Sequence, residues 1–149
     1  MFRRTRRFQA IFLMLALSGV PAVAQETSEG AGPAVSQEEL TAAVLAHIEE
    51  QTMKYGQFFV YDEQEKTPLH LEFQEFVADR GGPVGDQTYF ASTRCTDPDG
   101  NVVVVDVFMR STDAGHLKLV KVSVQERDGR ERYHWMQEDG LWKSSDGDV

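Results

Sequence analysis

The chain has 149 residues and is acidic, with 24 Asp and Glu against 15 Lys and Arg and a formal net charge of −9. A chain of this length forms one domain with a sizeable hydrophobic core. Its acidity excludes nucleic acid and anionic membrane surfaces as general partners, because both carry negative charge. The composition therefore indicates a globular domain, and its fold has to be inferred from the pattern of residues.

The first 24 residues have the three-part pattern of a secretory signal peptide. Four arginines between positions 3 and 7 form a basic region, residues 11–20 form an apolar run, and Ala22-Val23-Ala24 fits a small-residue cleavage site. The apolar run is too short to span a membrane as a helix. We therefore expect export to the periplasm with cleavage after Ala24, and no membrane insertion afterwards. Cleavage would leave 11 basic and 24 acidic residues, a net charge of −13.

Residues 25–35 are rich in Gly, Ser, Glu and Ala and predict a flexible leader, which leaves residues 36–149 as a single domain. Ser36-Gln37-Glu38-Glu39 has the spacing of a capping box and predicts the start of a helix. The helix should run to about Tyr55 and end at Gly56. Its apolar residues recur at helical spacing and predict one buried stripe, which includes Leu40, Val44, Leu45, Ile48, Thr52 and Tyr55.

From residue 57 onward the pattern alternates as in β-strands. Residues 58–61 and 67–78 predict two strands, and Phe76 falls out of phase, which indicates a bulge. The acidic segment 62–65 between these strands predicts a solvated turn.

A central hairpin is predicted over residues 89–109, around the Pro98-Asp99-Gly100 turn. A type I turn with a glycine bulge pairs Asp97 with Asn101, so that the numbers of opposite residues add to 198. One face of this hairpin is then apolar and should cover the helix; it carries Tyr89, Ala91, Thr93, Cys95, Val103, Val105, Val107 and Met109.

Two Asp-Gly turns, at residues 128–129 and 139–140, predict the remaining hairpins. A bulge near residues 119–120 is needed to keep the apolar side chains of the preceding strand on the core face. With this register, Tyr133 and Trp135 should join the core beside the helix.

The sequence thus predicts an α+β fold in which one N-terminal helix packs on a curved antiparallel meander of about six strands. Over residues 36–143 this layout resembles the cystatin-like and NTF2-like architectures, although no family motif supports the likeness. NTF2-like enzymes usually have further helices that build a deep pocket, so the resemblance favours a non-enzymatic protein. A small closed β-barrel with a flanking helix is the alternative.

The same register predicts a basic, partly aromatic sheet face on the side away from the helix. This open face would suit an anionic small molecule or an acidic patch on a partner protein. The competing interpretation is the ordinary alternation of a solvated sheet. The candidate binding residues are Phe90, Arg94, Asp106, Phe108, Lys121, Arg132 and His134.

Asp106 interrupts a run of valines and, by register, should lie near Arg94 and Lys121. An ion pair there would favour the charged carboxylate. The leading hypothesis is a non-enzymatic periplasmic binding or interaction module that uses the open sheet face. The alternative is a small hydrolase or isomerase in which Asp106 acts with His70 or His134 in a pocket.

No cofactor and no metal site are predicted. The four histidines lack the paired spacing of metal ligands, and Cys95 is the single cysteine, so no intramolecular disulfide can form. The chain also lacks a phosphate-cradling glycine loop, a Gly-x-Ser-x-Gly elbow and a Cys-x-x-Cys pair. Cys95 is therefore expected to be a buried small apolar side chain.

Overall fold

The computed structural model describes residues 34–146, so the predicted signal peptide (residues 1–24) and most of the predicted leader lie outside the described residues. Within this range, no helix is both long and apolar enough to cross a membrane. The elements in chain order are α1 (Gln37–Tyr55), β1 (Phe58–Asp62), β2 (Thr67–Gly85), β3 (Thr88–Thr96), β4 (Val102–Ser111), β5 (Leu117–Arg127), β6 (Arg130–Glu131), β7 (Trp135–Glu138) and β8 (Leu141–Ser144).

Helix α1 begins and ends where the sequence predicts. The Ser36 hydroxyl accepts a hydrogen bond from the Glu39 N–H at 3.2 Å, and the Glu39 carboxylate accepts one from the Ser36 N–H at 2.8 Å, which completes the capping box. Gly56 ends the helix in the left-handed conformation with a φ of +79°. The stripe that faces the sheet buries Leu40, Val44 and Ile48.

Strands β1 to β6 form one antiparallel sheet in chain order, and α1 packs on it. This confirms the prediction of an α+β fold with one helix on a six-stranded antiparallel sheet. The sheet is not closed into a barrel, so the barrel alternative is wrong. Strands β7 and β8 pair with each other and form a separate two-stranded sheet, which the predicted single meander did not include.

The central hairpin has the predicted register. Its β3–β4 pairs run from Thr88 opposite Arg110 to Thr96 opposite Val102, and Gly100 takes the left-handed conformation that the turn requires. The inner face of the sheet, which faces α1, carries the predicted apolar side chains. Together with the helix they form the main core, which includes Phe58, Val60, Leu69, Leu71, Ala91, Cys95, Val103, Val105, Val107, Met109 and Val124.

Two bulges interrupt the β4–β5 ladder. The first skips Val120, as predicted, and the second skips Gln125, which has no partner in β4. The fully buried Gln125 side chain donates instead from Nε2 to the carbonyl oxygen of Tyr133 at 2.7 Å. The regular β5–β6 ladder ends at Glu131, and one further backbone hydrogen bond follows, from the Arg132 N–H to the carbonyl oxygen of Gln125 at 2.8 Å. The chain then leaves the sheet at Tyr133.

Because of this departure, the predicted position of Tyr133 and Trp135 in the core beside the helix is wrong. Both rings lie on the outer face, away from α1. The Trp135 ring stacks on Phe90 with the ring centres 4.0 Å apart, and Trp142 meets the same ring edge-on at 5.7 Å. The hairpin β7–β8 thus covers the centre of the outer face with a second, aromatic layer.

A glycine on β2 makes room for this layer. Gly82 has a φ of +148°, and a Cβ atom there would lie 3.0 Å from Nε1 of Trp142. A larger residue would therefore strain the backbone and push the indole away.

Candidate functional site

The predicted open binding face does not exist as one surface. Phe90 and Asp106 are 0% exposed and Phe108 is 2% exposed, so these three candidates are buried. The physical reason is the hairpin β7–β8, whose indole rings pack on the outer face of β3 and β4. The sequence placed these residues on the correct face of the sheet, but the prediction that this face is exposed to solvent was wrong.

Asp106 is the acceptor at the centre of a buried polar cluster. Its carboxylate accepts hydrogen bonds from the Tyr133 hydroxyl at 2.7 Å, from the Trp135 indole N–H at 2.7 Å and from the Ser92 hydroxyl. Burial raises the pKa of Asp106, and the three hydrogen bonds oppose this effect by stabilising the charged form. We call Asp106, Ser92, Tyr133 and Trp135 the Asp106 cluster.

The predicted ion pair of Asp106 with Arg94 and Lys121 does not form: within residues 34–146 neither basic side chain makes a salt bridge with Asp106. Arg94 instead pairs with Glu75, with the nitrogen and oxygen atoms 2.5 Å apart. The Lys121 ammonium lies 4.9 Å from the centre of the Phe108 ring.

Within residues 34–146 no histidine donates a hydrogen bond to Asp106. The side chain of His134 is 68% exposed and lies beside Glu131, and Nδ1 of His70 lies 2.8 Å from Oε1 of Gln57. A general base needs a partner within hydrogen-bond reach or through one water. The contacts of Asp106 thus lend no support to the enzyme alternative, which stays a prediction.

Arg132 is also misplaced by the sequence-based register, because it does not lie on the outer face. Its two terminal nitrogens lie 2.5 and 2.8 Å from the two carboxylate oxygens of Asp62, and Arg127 donates to the same carboxylate at 2.9 Å. Glu65 accepts from both guanidinium groups, at 2.7 Å from Arg127 and 3.4 Å from Arg132. We call Asp62, Glu65, Arg127 and Arg132 the Asp62 cluster.

The Asp62 cluster ties the end of β1 to β5 and to the segment after β6. Asp62 is 0% exposed, so the expectation of a solvated turn is wrong for this residue. The Arg132 guanidinium holds the pKa of Asp62 well below its usual range. This arrangement is structural, because both guanidinium groups are occupied by carboxylates of the same chain.

A groove between α1 and the sheet has the size and lining of a ligand site. It lies between the C-terminal half of α1 and strands β2 and β3, and its volume is about 640 Å³. Small-molecule sites are usually apolar clefts of about 300–1,000 Å³ with a few polar groups. The groove, which we call the α1 groove, is lined by Leu45, Ile48, Glu49, Thr52, Met53, Gly56, Gln57, His70, Leu71, Glu72, Phe73, Thr96, Asp97 and Pro98.

The groove arises because its neighbouring elements stop early. The β1–β2 ladder ends where Phe58 pairs with Leu71, and α1 ends at Gly56. Strand β2 continues to Gly85 and pairs only with β3 there. Apolar side chains at this point are consequently only partly covered: Leu45 and Phe73 are half-buried, and Met53 is 83% exposed at the mouth.

None of the seven predicted site residues lines the α1 groove. The sequence did place Leu45 and Thr52 on the core stripe of the helix, and it predicted the strand over residues 67–78 that carries Leu71 and Phe73. It contained no signal for the gap between them, because that gap depends on where β1 and α1 end.

Comparison of the chain with protein-family models, with curated proteins and with solved structures finds no match. No relative therefore suggests a ligand or an activity. The functional argument depends on the geometry and chemistry of the described residues.

Proposed function

We propose that the protein is a non-enzymatic binding module of the periplasm and that its ligand site is the α1 groove. The observation that carries this proposal is the groove of about 640 Å³, whose partly exposed apolar side chains include Leu45 and Phe73. Binding is favourable when a ligand removes such apolar side chains from contact with water. The groove replaces the outer sheet face as the proposed site, because Phe90 and Phe108 are already covered by the protein itself.

The periplasmic location is part of the same proposal and rests on the signal-like pattern of residues 1–24. We likewise propose a cystatin-like or NTF2-like layout. It is supported by the packing of α1 on a six-stranded antiparallel sheet. In this arrangement a ligand would lie between the helix and the sheet, where the α1 groove is found.

The substitution Thr52→Phe should weaken binding of a neutral apolar dye. Thr52 lines the groove and has an exposed side chain, so a phenyl ring can occupy the cavity without disturbing the core. We expect binding of N-phenyl-1-naphthylamine to weaken by about tenfold or more, since about 60 Å² of lost apolar contact corresponds to about 1.4 kcal/mol. The measurement is a fluorescence titration of protein purified after expression of the full chain.

The matched control is Ala46→Phe. Ala46 is exposed on the same helix and does not line the groove, so this variant adds the same ring at a different face. It should bind the dye as the wild type does. Equal weakening by both substitutions, or a wild type that does not bind the dye, would contradict the proposal.

A further inference from the structure

The charged side chains that line the α1 groove are acidic. Glu49, Glu72, Asp97 and His70 line it, and among residues 34–146 no lysine or arginine does. Glu49 and Glu72 are exposed at its rim. Within residues 34–146 neither carboxylate takes part in a salt bridge. Two acidic groups at the rim therefore keep their charge available to a ligand.

Asp97 adds a third negative charge with a fixed position. Its carboxylate accepts hydrogen bonds from the backbone N–H groups of Asp99 at 3.0 Å and Asn101 at 2.8 Å, and from the Asn101 side-chain amide at 3.0 Å. The bonds from Asn101 and Asp99 lower the pKa of Asp97, so this group is ionised at neutral pH. Because Asp97 also organises the turn, it is not a suitable position for substitution.

The floor of the α1 groove is apolar. Ile48 and Leu71 belong to the main core, and Leu45 and Phe73 extend this apolar surface toward the solvent. A ligand that complements both regions must combine an apolar body with a cationic head. A carboxylate, sulfate or phosphate head would be repelled by the rim.

We propose that the α1 groove binds small amphiphiles with a cationic head group, of the alkylammonium class. This inference rests on the proposed function, because it names the ligand chemistry of the same site. The volume of about 640 Å³ favours a small molecule, since an amphipathic peptide helix needs an extended groove with anchors along several turns. The head group would lie near Glu49 and Glu72, and the alkyl chain would lie against Leu45, Ile48 and Phe73.

The test compares two amphiphiles with tails of similar length and opposite charge, decyltrimethylammonium and decanoate, both below the concentrations at which they form micelles. Each is titrated against the wild type with bound N-phenyl-1-naphthylamine, and displacement of the dye is followed by fluorescence. We expect the cation to bind about tenfold more tightly than the anion at low ionic strength, because near-surface charge pairs are worth about 1 kcal/mol or less each. The preference should shrink as salt screens the rim.

The double variant Glu49→Gln with Glu72→Gln should reduce the preference to about threefold or less, because the rim then keeps only Asp97. Dye binding is titrated for each variant first, so that the cation and the anion are compared within the same protein. The control is Glu50→Gln with Asp113→Asn, which removes two charges from exposed positions outside the groove. This control should keep the full preference.

The outcomes separate the two proposals. Dye binding that Thr52→Phe weakens, without a preference for the cation, overturns the cationic class and leaves the groove as a binding site. Failure of the wild type to bind the dye and both amphiphiles overturns the proposed function as well. If the rim variant and its control lost the preference for the cation equally, the preference would come from the net charge of the chain, and the inference would be overturned. Displacement by a cationic amphipathic peptide but not by decyltrimethylammonium would also overturn it.

Discussion

Replacing Asp62 with asparagine should lower the free energy of unfolding by about 3 kcal/mol, because it removes the buried counter-charge that two largely buried guanidinium groups share. The Asp62 carboxylate is fully buried, and Arg132 and Arg127 are only 16% and 20% exposed. Asparagine keeps the shape of the side chain, so the loss reports charge and hydrogen bonding and not packing. Denaturant unfolding followed by circular dichroism measures it.

A matched substitution in the same segment is Glu63→Gln. Glu63 also forms an ion pair, with Lys66, but both side chains are more than 70% exposed, at 78% and 71%. Exposed pairs contribute little to stability. This variant should therefore unfold close to the wild type, and a similar loss in both variants would contradict a special role for Asp62.

The pH dependence of this loss has a defined sign. The pKa of Asp62 is held well below its usual range by Arg132, so the native state binds a proton more weakly than the unfolded chain, where the pKa is about 3.9. Asp62 therefore contributes stability that is fully present above about pH 4 to 5 and is lost as the pH falls below it. The difference in unfolding free energy between the wild type and Asp62→Asn should stay constant from pH 7 to about pH 5 and should narrow as the pH falls from about 5 to 3. If this difference stayed constant down to pH 3, the ion pair of Asp62 with Arg132 would not be the cause of the lost stability.

Replacing Asp106 with leucine should cost about 4 kcal/mol, because it removes the acceptor of three hydrogen bonds and leaves donors without partners in a buried site. Asp106→Asn should be much milder, at about 1 kcal/mol or less, since an amide oxygen can accept from Tyr133 and Trp135 while its NH₂ donates to Ser92. The comparison separates loss of the acceptor from loss of the charge.

Tryptophan fluorescence gives this experiment a local readout. The chain has two tryptophans, and Trp135 and Trp142 both lie in the hairpin β7–β8. We expect the emission of Asp106→Leu to shift to the red at a denaturant concentration below that which unfolds the sheet, because the hairpin loses its anchor to β4. Coincident loss of fluorescence and circular dichroism in this variant would contradict a separately anchored hairpin.

Asp106 should show the opposite pH dependence to Asp62. Burial raises the pKa of Asp106, so the native state binds its proton more tightly than the unfolded chain does. Its contribution to stability is therefore greatest below the unfolded pKa of about 3.9 and is lost as the pH rises through the native value. The unfolding free energy of the wild type should rise relative to that of Asp106→Asn as the pH is lowered. A fall relative to Asp106→Asn would contradict a raised pKa for Asp106.

Local signals predicted much of the fold. The capping box at Ser36 and the stop at Gly56 depend on neighbouring residues only, and the register of the central hairpin follows from its Pro-Asp-Gly turn. The bulge at Val120 could be predicted because the apolar positions on β5 change phase there. In each case the determining interactions lie within a few residues along the chain or across one tight turn.

The errors arise where distant residues decide the outcome. Gln125 has no feature in the sequence that distinguishes it from an outward-facing polar residue. Its side-chain amide nevertheless donates a hydrogen bond to the carbonyl oxygen of Tyr133, just beyond the end of the β5–β6 ladder. Tyr133 and Trp135 then pass to the outer face and bury Asp106 there. The position of Asp62 was missed for the same reason, because Arg132 is 70 residues away in the chain.

The candidate site was the part least accessible from the sequence. A register assigns a side chain to a face of the sheet, but it does not say whether another element covers that face. Phe90 and Phe108 were assigned to the correct face, and the hairpin β7–β8 covers them. The α1 groove is a space between elements, and its size depends on the end of β1 and on the angle between helix and sheet.

The most direct test of the proposed function is NMR mapping of amide and methyl shifts while N-phenyl-1-naphthylamine is added to the labelled protein. Binding in the α1 groove predicts that the largest changes occur at Leu45, Thr52, Leu71 and Phe73, which line it. Residues of the aromatic layer, such as Phe108 and Trp142, should change little. The largest changes at the outer face around β7 and β8, with none at Leu45 or Phe73, would contradict the α1 groove as the binding site.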